Sequence, residues 1–243
     1  MKKSLFIATS MLFASSAYAV PVTFFDTITA GQASFNSTVT GTGATVTTDT
    51  LSGLTSGSSW DMGDYTISNT DGTSTSVYSA STDGSTGQML GINPISPGPQ
   101  SGITFTFDNP INALGFEVGD WATCCYLPSD LFISFDGGAT QLVGSASSAS
   151  DNPTYAAQGN SWTGGSTIFI GAIDDTSTFT QVLFYGTGFG EFLTAGGTIH
   201  YSTVDLNSVP DPSVVPIPAA ALLFGPALLG FMGLRRKAKN SVA

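Results

Sequence analysis

Between its two ends the sequence has no lysine and no arginine. All six basic residues lie at positions 2–3 and 235–239, whereas all 17 acidic residues lie between Asp26 and Asp211. The central part therefore has a formal charge of −17 and no cationic side chain. Nucleic acid is excluded as a partner, because phosphate binding requires basic groups. Each carboxylate has to be solvated, hydrogen-bonded or bound to a cation, so Ca²⁺ is a candidate ligand.

Residues for covalent or acid–base catalysis are also scarce. The sequence has one histidine, His200, and no Gly-x-Ser-x-Gly motif, and its central part lacks the lysine that a Ser-Lys pair needs. His200 lies in an alternating strand pattern, which favours a structural role. A hydrolase with paired carboxylates is the catalytic alternative, in which Glu117 or Glu191 would act with a nearby Asp.

Cysteine is almost absent, since Cys124 and Cys125 are the only two. Neighbouring side chains on a strand point to opposite faces, so a bond between adjacent cysteines requires a special turn. Tyr126-Leu127-Pro128 follows directly and favours such a turn, and we predict a vicinal disulfide. A bond to another chain and two reduced thiols are the alternatives, whereas the spacing does not fit a metal site.

The first 19 residues have the pattern of an export signal. Lys2 and Lys3 precede a short apolar stretch at 5–13, and Ala17-Tyr18-Ala19 ends the segment. This order is typical of a secretory signal peptide that is cleaved between Ala19 and Val20. We therefore expect Sec-type export machinery and signal peptidase as partners. The apolar stretch is too short for a membrane-spanning helix.

The C-terminal end has the long apolar run that the rest of the chain lacks. Residues 214–234 include no charged side chain, and four basic residues follow in 235–239. Pro216 and Pro218 keep the first residues out of a helix, so the predicted transmembrane helix is 219–234, about 24 Å long at 1.5 Å per residue. By the positive-inside rule this end stays in the cytoplasm. A plain membrane anchor is one interpretation.

The order of features in residues 214–243 resembles the PEP-CTERM family of sorting tails. The resemblance depends on the apolar helix, on the Pro-containing motif and on the basic cluster: Val215, Pro216, Ile217, Pro218, Ala219, Arg235, Arg236 and Lys237. Unlike the motif that names the family, this variant has no Glu between the prolines. The resemblance implies cleavage by an exosortase-type protease of a Gram-negative bacterium. It further implies an intermediate tethered to the inner membrane, then release to the cell surface, outer membrane or extracellular matrix.

The part between these ends, residues 20–207, has the pattern of short β-strands. Apolar and polar residues alternate in 103–107, 131–135 and 199–206, and short apolar runs occupy 168–173 and 182–185. Turn residues separate these runs, and no sustained apolar period of 3.6 residues occurs. We predict one all-β domain, a jelly-roll-like β-sandwich, with edge strands and long loops in 29–87. Residues 208–213 are predicted to be a linker to the tail.

Candidate ligands are densest in residues 111–138. Glu117 and Asp120 lie three positions apart beside Trp121, and Asp174-Asp175 is a further acidic pair. Because hard cations prefer several oxygen ligands, these four acids are candidate Ca²⁺ ligands. Trp121 is a candidate contact for a sugar ring. The competing interpretation is a strand-to-loop transition with solvated acids and a Trp packed on the rim of the sandwich.

The sequence as a whole favours an exported, non-catalytic protein of the cell surface or matrix, with polysaccharide or Ca²⁺ as candidate ligands. The export patterns, the wholly acidic central part and the missing catalytic motifs support this expectation. A secreted glycan hydrolase and an inert structural coat are the alternatives.

Overall fold

The computed structural model of the chain describes residues 21–92, 102–123, 127–187 and 192–209. These residues form two antiparallel sheets with a shared core. Sheet I contains β1 (Val22–Thr27), β2 (Thr47–Thr50), β5 (Val77–Tyr78), β6 (Met89–Ile92), β8 (Ala113–Gly119), β11 (Ile168–Ile173) and β13 (Leu193–Ser202). Sheet II contains β3 (Ser59–Asp61), β4 (Tyr65–Asn69), β7 (Gly102–Ile111), β9 (Ser129–Phe135), β10 (Gln141–Ala146) and β12 (Phe179–Gly186). The predicted β-sandwich is confirmed.

The strand order brings distant parts of the sequence together. Sheet I has the order β1-β11-β8-β13-β6-β5, with β2 also paired to β13, and sheet II has the order β10-β9-β12-β7-β4-β3. The chain passes repeatedly between the sheets, as where β7 of sheet II leads through Asn112 into β8 of sheet I. Side chains that are far apart in the sequence therefore lie close together on the sandwich.

The space between the sheets is filled by aromatic rings. Phe116 of β8 packs against Phe105 of β7 and Phe184 of β12, with ring centroids 5.0 and 5.1 Å apart. All three side chains are fully buried. Burial of such a side chain stabilises a fold by about 2–3 kcal/mol, so these contacts hold the central strands of the two sheets together.

The predicted strands coincide with strands of the structure. Residues 168–173 are β11, and the runs at 103–107, 131–135 and 182–185 lie within β7, β9 and β12. The predicted turn at Asp136 is present, with φ of 44° there and 70° at Gly137. The run at 199–206 is shorter than predicted because β13 ends at Ser202.

A helix replaces part of the predicted edge strands and loops of residues 29–87. Helix α1 (Ile28–Gly41) buries Gly31, Phe35 and Val39, which lie four residues apart. Three positions give too short a stripe to signal a helix, and its Ser and Thr residues are weak helix formers. The prediction was wrong here because packing against the sheet, rather than intrinsic propensity, stabilises this helix.

Helix α1 covers the outer face of sheet I. We call this the closed face, formed by Phe35, Ala113, Glu117, Phe169 and His200. The Phe35 ring packs edge-on against Phe169, with centroids 5.8 Å apart. The helix approaches so closely that a Cβ atom on Gly31 would lie 2.7 Å from the Phe169 ring. Gly31 is therefore required for this contact.

His200 is part of the closed face rather than of an accessible site. Its ring lies edge-on to Phe35 and Phe169, and its Nδ1 is 3.0 Å from Oδ1 of Asn36 in α1. With that oxygen as the acceptor, the proton is assigned to Nδ1, and Nε2 has no hydrogen-bond partner. Burial lowers the pKa of His200, which keeps the ring neutral. This environment agrees with the structural role that the sequence favours.

The remaining local structure is short. Helix α2 (Pro153–Ala157) lies between β10 and β11, and single 3₁₀ turns occupy Thr82–Gly84 and Ala149–Asp151. Within the described ranges no helix has both the length and the hydropathy to cross a membrane. Backbone contacts divide the chain between Val209 and Pro210, inside the predicted linker. The predicted signal peptide and sorting tail lie outside the described residues.

Candidate functional site

The candidate ligand Glu117 lies within the closed face and has no exposed surface. The backbone N–H groups of Thr86 and Thr198 donate to its carboxylate at 2.8 and 3.3 Å, and the Thr86 hydroxyl donates as well. The Gln32 amide of α1 is 3.4 Å from Oε1. Glu117 therefore links three separate segments of the chain beneath the helix.

The surroundings of Glu117 leave no room for a ligand. Gly197 has a φ of +67°, and a Cβ atom there would collide with the carboxylate. Burial raises the pKa of Glu117, while the hydrogen bonds from Thr86 and Thr198 act in the opposite direction. A raised pKa is a common property of catalytic acids. In this case the acid has no access to solvent, so it does not fit the accessible pair that a glycan hydrolase needs.

Asp120 and Trp121 follow directly after β8. The Asp120 carboxylate accepts a hydrogen bond from the Thr123 hydroxyl at 2.8 Å, and burial raises the pKa of Asp120. Trp121 is fully buried, with its indole N–H 3.1 Å from the Ser129 hydroxyl and its ring edge-on to Phe25. In this structure the Trp121 ring has no free face for a sugar, and it packs as the competing interpretation describes.

Asp174 and Asp175 lie at the opposite end of the β8–β11 pair. Asp174 accepts a hydrogen bond from the backbone N–H of Thr176 at 3.2 Å, and the buried Asp175 accepts one from the backbone N–H of Val209 at 2.8 Å. Asp120 and Asp174 are separated by the length of β8, which is roughly 20 Å at the usual rise per residue. The structure thus does not bring the four candidate Ca²⁺ ligands into one site.

Metal binding has no preformed site in the described part of the chain. There, no three or more His, Cys, Asp or Glu side chains are grouped so that they would hold an ion. Ca²⁺ binding at Asp120, or at Asp174 and Asp175, stays a prediction. Cys124, Cys125 and Glu191 lie outside the described residues, so the vicinal disulfide also stays a prediction.

An open cleft of about 230 Å³ lies where β7 leads into β8. The rings of Phe107 and Tyr201, with centroids 5.1 Å apart, form its apolar part. Polar side chains surround them, among them Thr47, Asp64, Asn109 and Thr203. We call this site the Tyr201 cleft.

Two tyrosine–aspartate pairs order the polar groups at this end of the sandwich. The Tyr201 hydroxyl donates to Oδ2 of the exposed Asp64 at 2.9 Å, and the buried Tyr65 donates to Asp49 at 2.8 Å. Burial and the neighbouring carboxylate raise the pKa of Tyr201 to about 12, and burial and Asp49 raise the pKa of Tyr65. Both hydroxyls therefore stay protonated. Each donates a hydrogen bond to a carboxylate that has no lysine or arginine as a partner.

The Tyr201 cleft suits a ligand that carries many hydroxyl groups. A carboxylate, an amide and threonine hydroxyls can accept from and donate to such groups. The partly exposed Tyr201 ring offers an apolar surface beside them. A concave apolar surface with a few convergent polar groups is the usual form of a small-molecule binding site.

The sequence does not predict this cleft. Its lining comes from the start of β2 and the loop before it, the loop before β4, the end of β7 and the end of β13 with the residue that follows. The alternating pattern places Tyr201 correctly on a strand face, since Ile199 and Tyr201 both contact the core between the sheets. The spacing of Asp64 and Tyr201, 137 residues apart, gives no sign that the two side chains meet.

Comparison with known proteins gives only a distant likeness. No protein-family model matches the chain, and no curated protein matches it. A solved structure with a related arrangement is a mutant of a family 29 carbohydrate binding module that was used to probe ligand recognition. The two are 13% identical with a TM-score of 0.34, and the match covers 69% of this chain and 92% of that one. At this level of similarity, the function of the chain has to be inferred from its own residues.

Proposed function

We propose that this chain is an exported, non-catalytic protein of the cell surface or extracellular matrix that binds neutral polysaccharide in the Tyr201 cleft. The cleft, with its aromatic floor and polar rim, is the observation that supports the binding. The sequence patterns at the two ends support export, sorting by an exosortase-type protease and tethering to the inner membrane before release.

The preference for a neutral ligand follows from charge. No lysine or arginine lies between residues 4 and 234, and the acidic side chains give this part a charge of −17. Polysaccharides that carry carboxylate or sulfate groups are repelled by such a surface. A neutral glycan has no such penalty and supplies the hydroxyl groups that Asp64, Asn109 and Thr47 can bind.

A binding role fits the cleft better than hydrolysis does. Glycoside hydrolysis generally requires two carboxyl groups on either side of the scissile bond. Among the described residues that line the Tyr201 cleft, Asp64 is the only one with a carboxylate. Its oxygen Oδ2 accepts the Tyr201 hydroxyl, and this one carboxylate does not supply both of the carboxyl groups that the reaction needs.

The binding is tested by electrophoresis of the full chain through gels that contain a neutral polysaccharide. Hydroxyethyl cellulose, galactomannan and dextran are the probes, and alginate is the anionic comparison. We expect retardation by at least one neutral probe and none by alginate. Asp64→Ala and Tyr201→Phe should each weaken binding about fivefold to tenfold, because each removes hydrogen-bonding capacity from the cleft.

Asp71→Ala is the matched control, because Asp71 is an exposed carboxylate beyond the other end of β4. It should leave the retardation unchanged. Equal retardation of wild type, Asp64→Ala and Tyr201→Phe would remove the cleft as the binding site. If none of the neutral probes retards the protein, polysaccharide binding is rejected.

Export and sorting are tested by the intact mass of the mature protein in each cell fraction. We expect a chain that begins at Val20 and has lost its C-terminal tail, recovered from the surface or the medium. A full-length chain with Met1–Ala19 intact in the cytosol would contradict this part of the proposal.

A further inference from the structure

A pair of aromatic side chains, Tyr155 in α2 and Trp162 in the loop after it, has no role in the Tyr201 cleft. Trp162 is 36% exposed, whereas Trp60 and Trp121 are 7% and 0% exposed. The Trp162 ring lies 4.6 Å from the partly exposed ring of Tyr155, at an interplanar angle of 47°. Single exposed apolar side chains are common and need no explanation. This pair differs because the chain around it is firmly held.

Hydrogen bonds from two amide side chains position the pair. The fully buried Asn152 donates to the carbonyls of Trp121 and Ser166 at 2.9 and 3.2 Å, and its Oδ1 accepts the N–H of Tyr155 at 3.3 Å. All of these bonds fix the start of α2.

A second amide, Gln158, fixes the loop that carries Trp162. Its Oε1 accepts the backbone N–H groups of Thr163 and Gly164 at 2.7 and 2.8 Å, and its Nε2 donates to the Gly165 carbonyl at 2.9 Å. A surface that is already ordered loses little conformational entropy when it binds. The pair is thus preorganised for a ligand.

We propose that Tyr155 and Trp162 form a second binding surface for neutral polysaccharide, so that one molecule joins two polysaccharide chains. The inference rests on the proposed function of the Tyr201 cleft. The ligand class follows from the sequence neighbours of Trp162, since Asn160, Ser161 and Thr163 are all neutral and polar. The Ser161 and Thr163 hydroxyls donate to Gln158 and keep lone pairs that can accept from a ligand. That combination matches the C–H face and hydroxyl groups of a sugar ring, and no basic residue is present for an anionic ligand.

The two surfaces lie at opposite ends of the sandwich. Helix α2 is bound to the carbonyl of Thr167, just before β11 and beside the C-terminal end of β8. The Tyr201 cleft lies beside Ser202, which pairs with Ala113 at the N-terminal end of β8. The separation along β8 is roughly 20 Å. One polysaccharide segment at each end makes the protein a cross-linker rather than a simple binder.

The fluorescence of the three tryptophans gives a direct test of the second surface on the full chain. Because Trp162 is the one exposed tryptophan among the three of the chain, acrylamide quenching of fluorescence reports mainly on it. A saturating amount of the neutral polysaccharide that retards the protein should lower the quenching constant at least twofold. Asp64→Ala at a concentration that still saturates should show the same protection. Unchanged quenching with bound polysaccharide would overturn the inference while leaving the cleft intact.

Cross-linking is tested by light scattering and viscosity of mixtures with the same polysaccharide. Wild type should increase the scattered intensity several-fold at substoichiometric protein, and Trp162→Ala should remove this increase while the cleft still binds. Leu142→Ala is the matched control, since Leu142 is 51% exposed on β10, and it should behave as wild type.

The outcomes separate the inference from the proposed function. If Trp162→Ala cross-links polysaccharide as well as wild type does, the inference is overturned and the proposed function of the cleft is unaffected. If Trp162→Ala loses all binding and the cleft variants lose none, the Tyr201 cleft is rejected as a binding site. The aromatic pair is then the binding surface, and cross-linking through the cleft is rejected with it. A change of Trp162 fluorescence with phosphatidylcholine vesicles or with protein concentration, and none with polysaccharide, shows a membrane or self-association surface and rejects the inference.

Discussion

The closed face and the Tyr201 cleft begin at adjacent residues of the same strand. His200 of β13 points beneath α1, and Tyr201 points to the side between the sheets and into the cleft. Each region holds a carboxylate, Glu117 in the closed face and Asp64 in the cleft, and neither has a lysine or arginine available. The regions differ in the groups that donate hydrogen bonds to the carboxylate in the absence of a basic side chain.

That difference separates stability from binding. Glu117 is buried, is held by backbone N–H groups and has a raised pKa. Asp64 stays exposed and accepts a protonated tyrosine hydroxyl. A carboxylate under a helix contributes to the fold only, whereas one at the rim of an open cleft keeps lone pairs for a ligand. Changes in the closed face should therefore affect stability, and changes in the cleft should affect binding.

The largest effect is expected from Phe35→Ala in the closed face. The substitution leaves a cavity against Phe169 and Phe24 and should lower the free energy of unfolding by about 3–5 kcal/mol. Urea unfolding of the full chain measures the change. Ser34→Ala, on the exposed side of the same helix, should change it by less than about 0.5 kcal/mol. A loss below about 1 kcal/mol for Phe35→Ala would show that α1 contributes little.

Glu117 should make the protein less stable as the pH rises. Burial raises the pKa of Glu117 in the folded state above its ordinary value of 4.5, so the folded state binds the proton more tightly. The stabilising contribution is complete below pH 4.5 and is lost as the pH rises through the folded-state pKa, with a slope of at most about 1.4 kcal/mol per pH unit. The difference between wild type and Glu117→Gln in urea unfolding from pH 4 to 8 isolates this group. A difference that is constant with pH would contradict the assignment.

His200 should act in the opposite direction. Its pKa is lowered from 6.5 by burial, so the unfolded chain takes up the proton first as the pH falls. Its contribution to stability is complete above pH 6.5 and is lost as the pH falls from there through the folded-state pKa. The comparison of wild type with His200→Gln over the same pH range measures it. Stability of wild type that rises relative to the variant below pH 6.5 would sink the interpretation of a neutral, buried ring.

A smaller effect should distinguish the two tyrosines. Tyr65→Phe removes a buried hydrogen bond to Asp49 and should lower the free energy of unfolding by about 1–2 kcal/mol. Tyr201→Phe removes a more exposed bond and should cost about 0.5 kcal/mol or less. Gel retardation should change for Tyr201→Phe and not for Tyr65→Phe. Equal effects of both variants on binding would mean that the cleft is disturbed indirectly.

The smallest effect is expected from Ca²⁺. Salt alone should stabilise the acidic protein by screening its like charges. Ca²⁺ binding at Asp120, or at Asp174 and Asp175, should raise the melting temperature a few degrees further than NaCl of equal ionic strength, and EDTA should reverse the rise. Equal melting temperatures in the two salts would remove Ca²⁺ as a ligand.

Most of the sandwich was predictable because the strands follow a local rule. Alternation of apolar and polar residues predicts β7, β9 and β13, and the apolar runs predict β11 and β12. Helix α1 was not predictable, because Phe35 and Val39 are buried only by packing on residues of distant strands such as Phe169. The sequence likewise does not predict that Trp121 is buried and Trp162 is exposed. Each is flanked by small and polar residues, and burial depends on which segments pack on the ring.

The sequence by itself determined that the body of this protein is wholly acidic and built from short strands, because charge and alternation are properties of neighbouring residues. The tertiary structure alone decided which carboxylate is sealed beneath a helix, which one borders an open cleft and which tryptophan meets solvent. The physical reason is that burial and hydrogen bonding depend on contacts between strands that lie far apart in the chain.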